Sequence, residues 1–283
     1  MPSRPSPSDH PRPAQAIAEF RFYEELNDFL RPELRKRTFS HGFNGAPAIK
    51  DVIEAIGVPH AEVDLVLIDG ESVSFSRRLH DGNRVAVYPM FERLDVGPLT
   101  RVRPRPLRRT RFVLDVHLGT LARYMRLLGF DTLYRNDYDD HEIVRLAHDQ
   151  ARIILTRDKG LLKHRAVTRG RWIRQVKPLE QLRETLAAFD LAGSVRPFTR
   201  CAVCNGNLRP LARRQAVGLV PARVLERHDK FARCTLCGRI YWPGTHTARI
   251  RKALEGAAID LDLSAREAPP HFPGPTKATR SVR

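Results

Sequence analysis

The stretch "ARIILTRDKGLL", Ala151 to Leu162, decides how the middle of this chain folds. Ile153, Ile154 and Leu155 form a short apolar run of the length expected for a central strand of a parallel sheet, although periodicity alone does not separate it from a buried helical segment. The run passes through Thr156-Arg157-Asp158 into what reads as a helix. Asp158 then stands where a strand of an open α/β sheet ends, which is the edge at which ligands bind. A carboxylate there is a helix cap, a site residue, or both.

The flanking sequence supports a strand. "RFVLD" reads as an earlier strand ending in Asp115, and "VHLGTLARYMRLLG" sets Leu118, Leu121, Ala122, Met125 and Leu128 at helical spacing, with Gly129 as the stop. "DTLYR" reads as a second strand. "DDHEIVRLAHDQ" has Asp139 as N-cap and Glu142 three residues on, with Ile143, Val144, Leu146 and Ala147 facing a core. "GRWIRQV" and "PLEQLRETLAAF" supply a further strand and a closing helix. This β-α-β-α-β alternation predicts a parallel sheet with right-handed crossovers over 112–190, so that successive strands end on one edge. Asp115, Asp158 and the start of the helix near Asp139 and Asp140 belong to that edge. Capping accounts for several of these acids one at a time. Taken together, carboxylates in one cleft repel unless a hard cation neutralises them, and oxygen-only ligation suits Mg²⁺ or Mn²⁺. A metal so held polarises a phosphate and generates hydroxide from water.

Residues 1–15 and 251–283 read as polar tails, the latter basic with a helix remnant, and 96–111 as an Arg/Pro linker with six Arg, three Pro and no acid. Such a linker can also lie along a phosphate backbone. Residues 16–95 form a β, helix, β unit: "AIAEFRFY", a helical "APAIKDVIEAIG", then "EVDLVLIDGESV" and "NRVAVYPMF", with turns at Asp69-Gly70 and Asp81-Gly82. The whole chain of 283 residues carries 49 Lys+Arg against 32 Asp+Glu, a net charge of +17. That excess favours a polyanionic partner such as RNA, with Arg-rich genome composition as the bland alternative. No apolar run approaches the length of a membrane span, and Met1 to Gln15 lacks the apolar core of an export signal. A cytoplasmic protein without a membrane partner is expected.

All four cysteines lie in two knuckles, Cys201-x₂-Cys204 and Cys234-x₂-Cys237, separated by 29 residues. Paired CxxC turns match a tetrahedral thiolate site for structural Zn²⁺; two disulfides are the alternative, which the lack of an export signal disfavours. The wide gap implies a hairpin with a long excursion. Zinc removal is expected to loosen 195–250 first. From residue 191 onward the chain has 17 Lys+Arg against 6 Asp+Glu. With Phe231, Tyr241 and Trp242 as aromatics, a basic zinc ribbon over 191–250 suits single-stranded RNA, unless those rings pack the ribbon's own small core.

"LVLIDGESVSFSRRLHDGNRVAVYPMF" resembles the ubiquitin-like β-grasp domains of the sulfur-carrier kind. Carriers end in Gly-Gly, whereas here Gly97 is followed by Pro98 and a further 185 residues, so either a binding or positioning module with a protein partner or a passive scaffold is implied. "FVLDVHLGTLARYMRLLGFDTLY", "DDHEI", "ILTRDKGLL" and "FARCTLCGRIYWPGTH", in that order, resemble the Mut7-C RNase domain, a PIN-like nuclease module fused to a zinc ribbon. The resemblance implies a metal-dependent ribonuclease with Asp115, Asp140 and Asp158 as catalytic ligands of Mg²⁺ or Mn²⁺. Cys201, Cys204, Cys234 and Cys237 would hold zinc, and Arg157, Arg123 and Trp242 would contact RNA. PIN sites carry another acid after the fourth strand; "WIRQVKPLEQL" has none before Glu180. A non-catalytic RNA-binding adaptor that keeps the fold is the alternative.

Overall fold

The computed structural model describes residues 15–89, 101–102 and 110–242. The expected tails, apart from Gln15, and the expected linker, apart from Arg101, Val102, Thr110 and Arg111, lie outside the described residues. The chain is mixed α/β and divides into two compact units, one drawn from 1–109 and 144–172, the other from 110–143 and 173–283.

In the first unit β1 (Ala16–Phe22) alternates strictly, with Ala18, Phe20 and Phe22 buried and Glu19 and Arg21 exposed. That period of two gives the strand one wet face. It pairs antiparallel with β2 (Phe39–Phe43) and parallel with β5 (Arg84–Pro89), which in turn pairs antiparallel with β3 (Val63–Ile68). With β4 (Glu71–Ser72) at the edge the sheet runs β2-β1-β5-β3-β4. Asp69 and Gly70 both adopt positive φ, 53° and 87°, which fits the two-residue turn that joins β3 to β4. Helix α1 (Ile49–Ile56) buries Ile49, Val52 and Ile53 in the core with Phe20, Phe22 and Leu79. Each such fully buried side chain contributes about 1.5–3 kcal/mol. This is the β-grasp arrangement expected from the sequence. Strand β2, with Ser40, His41 and Gly42 at its centre, carries no apolar alternation and was not legible there.

Residues 144–172 belong to the same unit. There the opening stretch forms β8 (Ile153–Thr156), all four residues buried, and pairs in parallel with β9 (Gly170–Trp172). The helix expected after Asp158 is only one 3₁₀ turn, Leu161–Lys163. Gly160 and the two intervening leucines explain it: Leu161 and Leu162 are both buried, so the turn is anchored by packing and the chain leaves toward β9.

The second unit contains β6 (Arg111–Leu114), α2 (Gly119–Leu127) and β7 (Asp131–Leu133), with β6 and β7 parallel in register Phe112 to Thr132. Helix α3 (Asp140–Asp149) starts where the capping pattern placed it, the Asp139 carboxylate accepting the Glu142 N–H at 2.7 Å. Helix α4 (Pro178–Ala188) packs on α2. Helix α2 ends in a Schellman motif: the Phe130 N–H donates to the Met125 carbonyl and the Gly129 N–H to the Arg126 carbonyl, each at 3.0 Å. Gly129 has φ +94°, and a Cβ there would stand 2.1 Å from the Arg196 carbonyl oxygen. Gly129→Ala is therefore expected to destabilise by about 2 kcal/mol or more, measured by urea unfolding, because strain and backbone overlap add. Gly45→Ala, also at positive φ but in open space, should cost only about 1 kcal/mol.

A three-stranded antiparallel sheet, β10-β11-β12, closes the described chain: β10 (Leu208–Leu211), β11 (Phe231–Cys234) and β12 (Ile240–Tyr241). The long excursion between β10 and β11 folds as two short helices, α5 (Arg213–Ala216) and α6 (Ala222–Arg227), over a small core of Ala216, Val220 and Phe231. Among the described residues no helix is long and apolar enough to cross a membrane.

Candidate metal centre and acidic residues

Each CxxC knuckle folds so that main-chain N–H groups point at sulfur. The Cys204 N–H donates to Cys201 Sγ at 3.4 Å, and the Leu236 and Cys237 N–H groups donate to Cys234 Sγ at 3.4 and 3.5 Å. The two knuckles meet, all four sulfurs lying within 4.8 Å of one another, with Cys201 3.7 Å from Cys237 and Cys204 3.4 Å from Cys234. Zn–S bonds of about 2.3 Å put the edges of a ZnS₄ tetrahedron at about 3.8 Å. The separations of 3.4 and 3.7 Å lie close to that edge and far exceed a disulfide of about 2.05 Å, and all four cysteines are free. This donor set fits zinc. Four thiolates close the coordination sphere, so an ion here is structural rather than catalytic.

The surroundings favour a thiolate at Cys201. Burial raises the Cys201 thiol, but the Tyr241 hydroxyl 3.0 Å away and the knuckle amides outweigh it and bring Cys201 down to about 6. Cys204 is pushed up to about 12, first by burial and then by sharing its proton with neighbouring sulfurs, as expected when one of four crowded thiols ionises first. A bound cation would remove that competition by deprotonating all four.

Behind the first knuckle lies Arg126, only 4% exposed. Its guanidinium donates to the carbonyls of Val203 at 2.7 Å and Ala202 at 3.3 Å, inside the CxxC turn, and to those of Thr132 at 2.8 Å and Tyr134 at 3.3 Å beside β7. Asn205 adds a second tie, accepting the Thr132 N–H at 3.0 Å and donating to Asp131 at 2.8 Å, while Arg200 pairs with the same Asp131 at 3.2 Å. Burial pushes the Arg126 guanidinium below its ordinary value and the Cys201 and Cys204 charges push it back.

The predicted acidic residues occupy different settings. Asp115 follows β6 directly, is 5% exposed, and does not cap the turn after it with its side chain. Asp140 is exposed in the first turn of α3, beside the true cap Asp139. Asp158 follows β8 in an Asx turn: its Oδ1 accepts the Gly160 N–H at 2.7 Å, and its own N–H donates to Thr156 Oγ1 at 2.8 Å. Asp115 and Asp140 belong to the second compact unit and Asp158 to the first. The region after β9 holds no acid before Glu180, which stands 3.8 Å from Lys177 at the start of α4.

Residues 110–254 match the Mut7-C RNAse domain, and residues 15–95 match the Mut7-C ubiquitin domain. The chain belongs to the Mut7-C RNAse family. No curated protein and no solved structure matches it significantly.

Within this Mut7-C RNAse protein the candidate RNA contacts divide. Arg157 and Arg123 are exposed, as a phosphate contact requires. Trp242 is half-buried against the small core around Phe231, and Tyr241 turns its hydroxyl to Cys201. Arg126 was not legible as a site residue, yet the signal was present: it lies four residues after Ala122, on the apolar stripe of α2, where an arginine must find buried acceptors.

Proposed function

We propose that this protein is a cytoplasmic ribonuclease that hydrolyses RNA phosphodiesters with a divalent metal, and that its zinc ribbon binds the RNA. The observation that carries this reading is a buried carboxylate, Asp115, directly after a parallel strand in a chain of the Mut7-C RNAse family. Asp115, Asp140 and Asp158 are the proposed ligands of Mg²⁺ or Mn²⁺, a donor set of hard oxygens that suits those ions. When bound, the ion supplies polarisation of the phosphate and an activated water. Arg157 and Arg123 then hold the substrate backbone by charge, and the basic ribbon, held together by zinc, extends that track. In this organisation the ubiquitin-like region spans 16–95, the nuclease 112–190 and the ribbon 191–250.

The acid-free segment Ile173 to Lys177 favours a second reading, a non-catalytic RNA-binding adaptor that retains the fold. Incubating the purified chain with mixed cellular RNA, with and without Mn²⁺, separates the two. Metal-dependent shortening of RNA is expected, alongside binding that weakens steeply with salt. Salt-sensitive binding with intact RNA at every Mn²⁺ concentration would select the adaptor.

A further inference from the structure

The turn His60–Glu62, between α1 and β3 of the ubiquitin-like region, buries polar groups that a free-standing carrier domain would leave in water. His60 and Glu62 are each 4% exposed. Both reach into the segment after Asp158. His60 Nε2 donates to the Val167 carbonyl at 2.7 Å; a carbonyl only accepts, so this nitrogen carries a proton. His60 Nδ1 lies 2.5 Å from the Glu54 carboxylate, which fixes the ring from behind. The Glu62 carboxylate accepts the Trp172 main-chain N–H, and the Glu54 carbonyl accepts the Lys163 ammonium at 3.4 Å.

The same segment is gripped again by residues 24–29. Arg171 pairs with Glu25 at 2.7 Å, with both side chains largely buried. Lys159, the residue after Asp158, places its ammonium 3.8 Å from the Trp172 ring centroid and 5.1 Å from that of Phe29, and the two rings stand 5.4 Å apart. Lys159 lies inside the Asx turn in which Asp158 accepts the Gly160 N–H. A partly buried ion pair and a buried imidazole between two acceptors each leave a polar group without its partner if the segment moves away, and the cation against two rings adds attraction, so together they fix the segment. What they fix is the chain on either side of Leu161–Lys163, from Lys159 to Trp172.

We propose that the ubiquitin-like region is a built-in positioning element of the nuclease, and that Phe29, His60 and Glu62 hold the Asp158 loop in its working conformation. This rests on reading Asp158 as a site residue. The absence of a Gly-Gly end agrees with it: the surface of the β-grasp is used in place, and no tail is presented for activation. Phe29, His60 and Glu62 are positioning residues and do not touch RNA.

The test uses the full chain with Phe29→Leu, Phe29→Tyr and Glu62→Leu, the last removing the acceptor of the Trp172 N–H. Two quantities are read in each: amide exchange over 157–172, and Mn²⁺-dependent RNA cleavage with kcat and KM separated. In Phe29→Leu and in Glu62→Leu, exchange at Lys159 and Gly160 is expected to rise roughly tenfold and kcat to fall by a similar factor with KM little changed. Phe29→Tyr keeps a ring against Lys159 and should restore both. Folded Phe29→Leu and Glu62→Leu proteins with unaltered exchange over 157–172 overturn the proposal, whatever their activity. Raised exchange in a chain whose parent cleaves no RNA upholds the positioning role and instead sinks the ribonuclease reading.

Discussion

Stripping zinc from this protein is expected to disorder more than its ribbon. Metal analysis of protein purified under reducing conditions should give about one zinc per chain. Chelation, or Cys234→Ser, should then remove protection from amide exchange not only over 199–242 but also at Thr132 and along α2. The zinc knuckle in isolation would predict the narrower effect, a loosening of residues from 195 onward. Arg126 changes that expectation. Its guanidinium is almost fully buried and spends its donors on four carbonyls, two inside the CxxC turn and two beside β7. When the thiolates are charged and crosslinked by an ion, they offset the buried positive charge. When the knuckle opens, two of the four acceptors leave with it and the charge stays behind. A buried ion deprived of its partners costs about 3–5 kcal/mol, comparable with a large part of the stability of a domain. The expected result is a single unfolding transition lowered by more than about 10 °C on chelation. Arg126→Met should uncouple α2 from the knuckle, so that zinc loss in that variant leaves exchange along α2 unchanged, while Thr132, whose N–H is held by Asn205 beside the knuckle, still loses protection. Loss of protection confined to the ribbon in the parent chain would remove Arg126 from this role, and a zinc-free chain with four oxidised cysteines would remove the metal.

The parts of this picture that were legible in the sequence share a physical basis. Phe20 and Phe22 alternate with charged residues, so β1 declares itself; Ile153 to Leu155 form an unbroken run between polar residues, so β8 does too. The cysteine knuckles are equally plain, because two CxxC pairs leave few other arrangements. The capping of α3 by Asp139 followed from the pattern of acids ahead of an apolar stripe. What was not legible depends on contacts far apart in the chain. His60 and Glu62 look like ordinary loop residues until Val167 and Trp172 are beside them, and neither spacing nor composition announces a partner more than 100 positions away. The helix expected after Asp158 fails for a related reason. Leu161 and Leu162 have helical propensity, but tertiary burial of both within three residues takes the chain away before a second turn forms. The union of 144–172 with the N-terminal residues in one compact unit is a further case, since a linker-separated domain was the simplest reading of the composition.

The largest effect on activity is expected from Asp158→Asn. The variant isolates charge from shape: in the Asx turn the Asp158 Oδ1 accepts the Gly160 N–H at 2.7 Å, and an amide oxygen can accept the same bond. The Thr156 hydroxyl still receives the main-chain N–H of residue 158, so the loop keeps both of its local ties. Stability should therefore change by no more than about 1 kcal/mol. What Asn lacks is the negative charge that a hard divalent cation requires of its ligands. If Asp158 holds Mg²⁺ or Mn²⁺, Mn²⁺-dependent cleavage should fall by about 10³-fold, the scale found when a group that stabilises transition-state charge is removed. RNA binding in the absence of metal should not weaken, since the substitution removes a negative charge from a surface that meets phosphate. If Asp158 only shapes its turn, the variant should cleave at the parental rate, because the turn is intact. A folded Asp158→Asn protein with undiminished Mn²⁺-dependent cleavage would therefore exclude Asp158 from the metal site. A parent that binds RNA without cleaving it would make both proteins equal and leave the adaptor as the function.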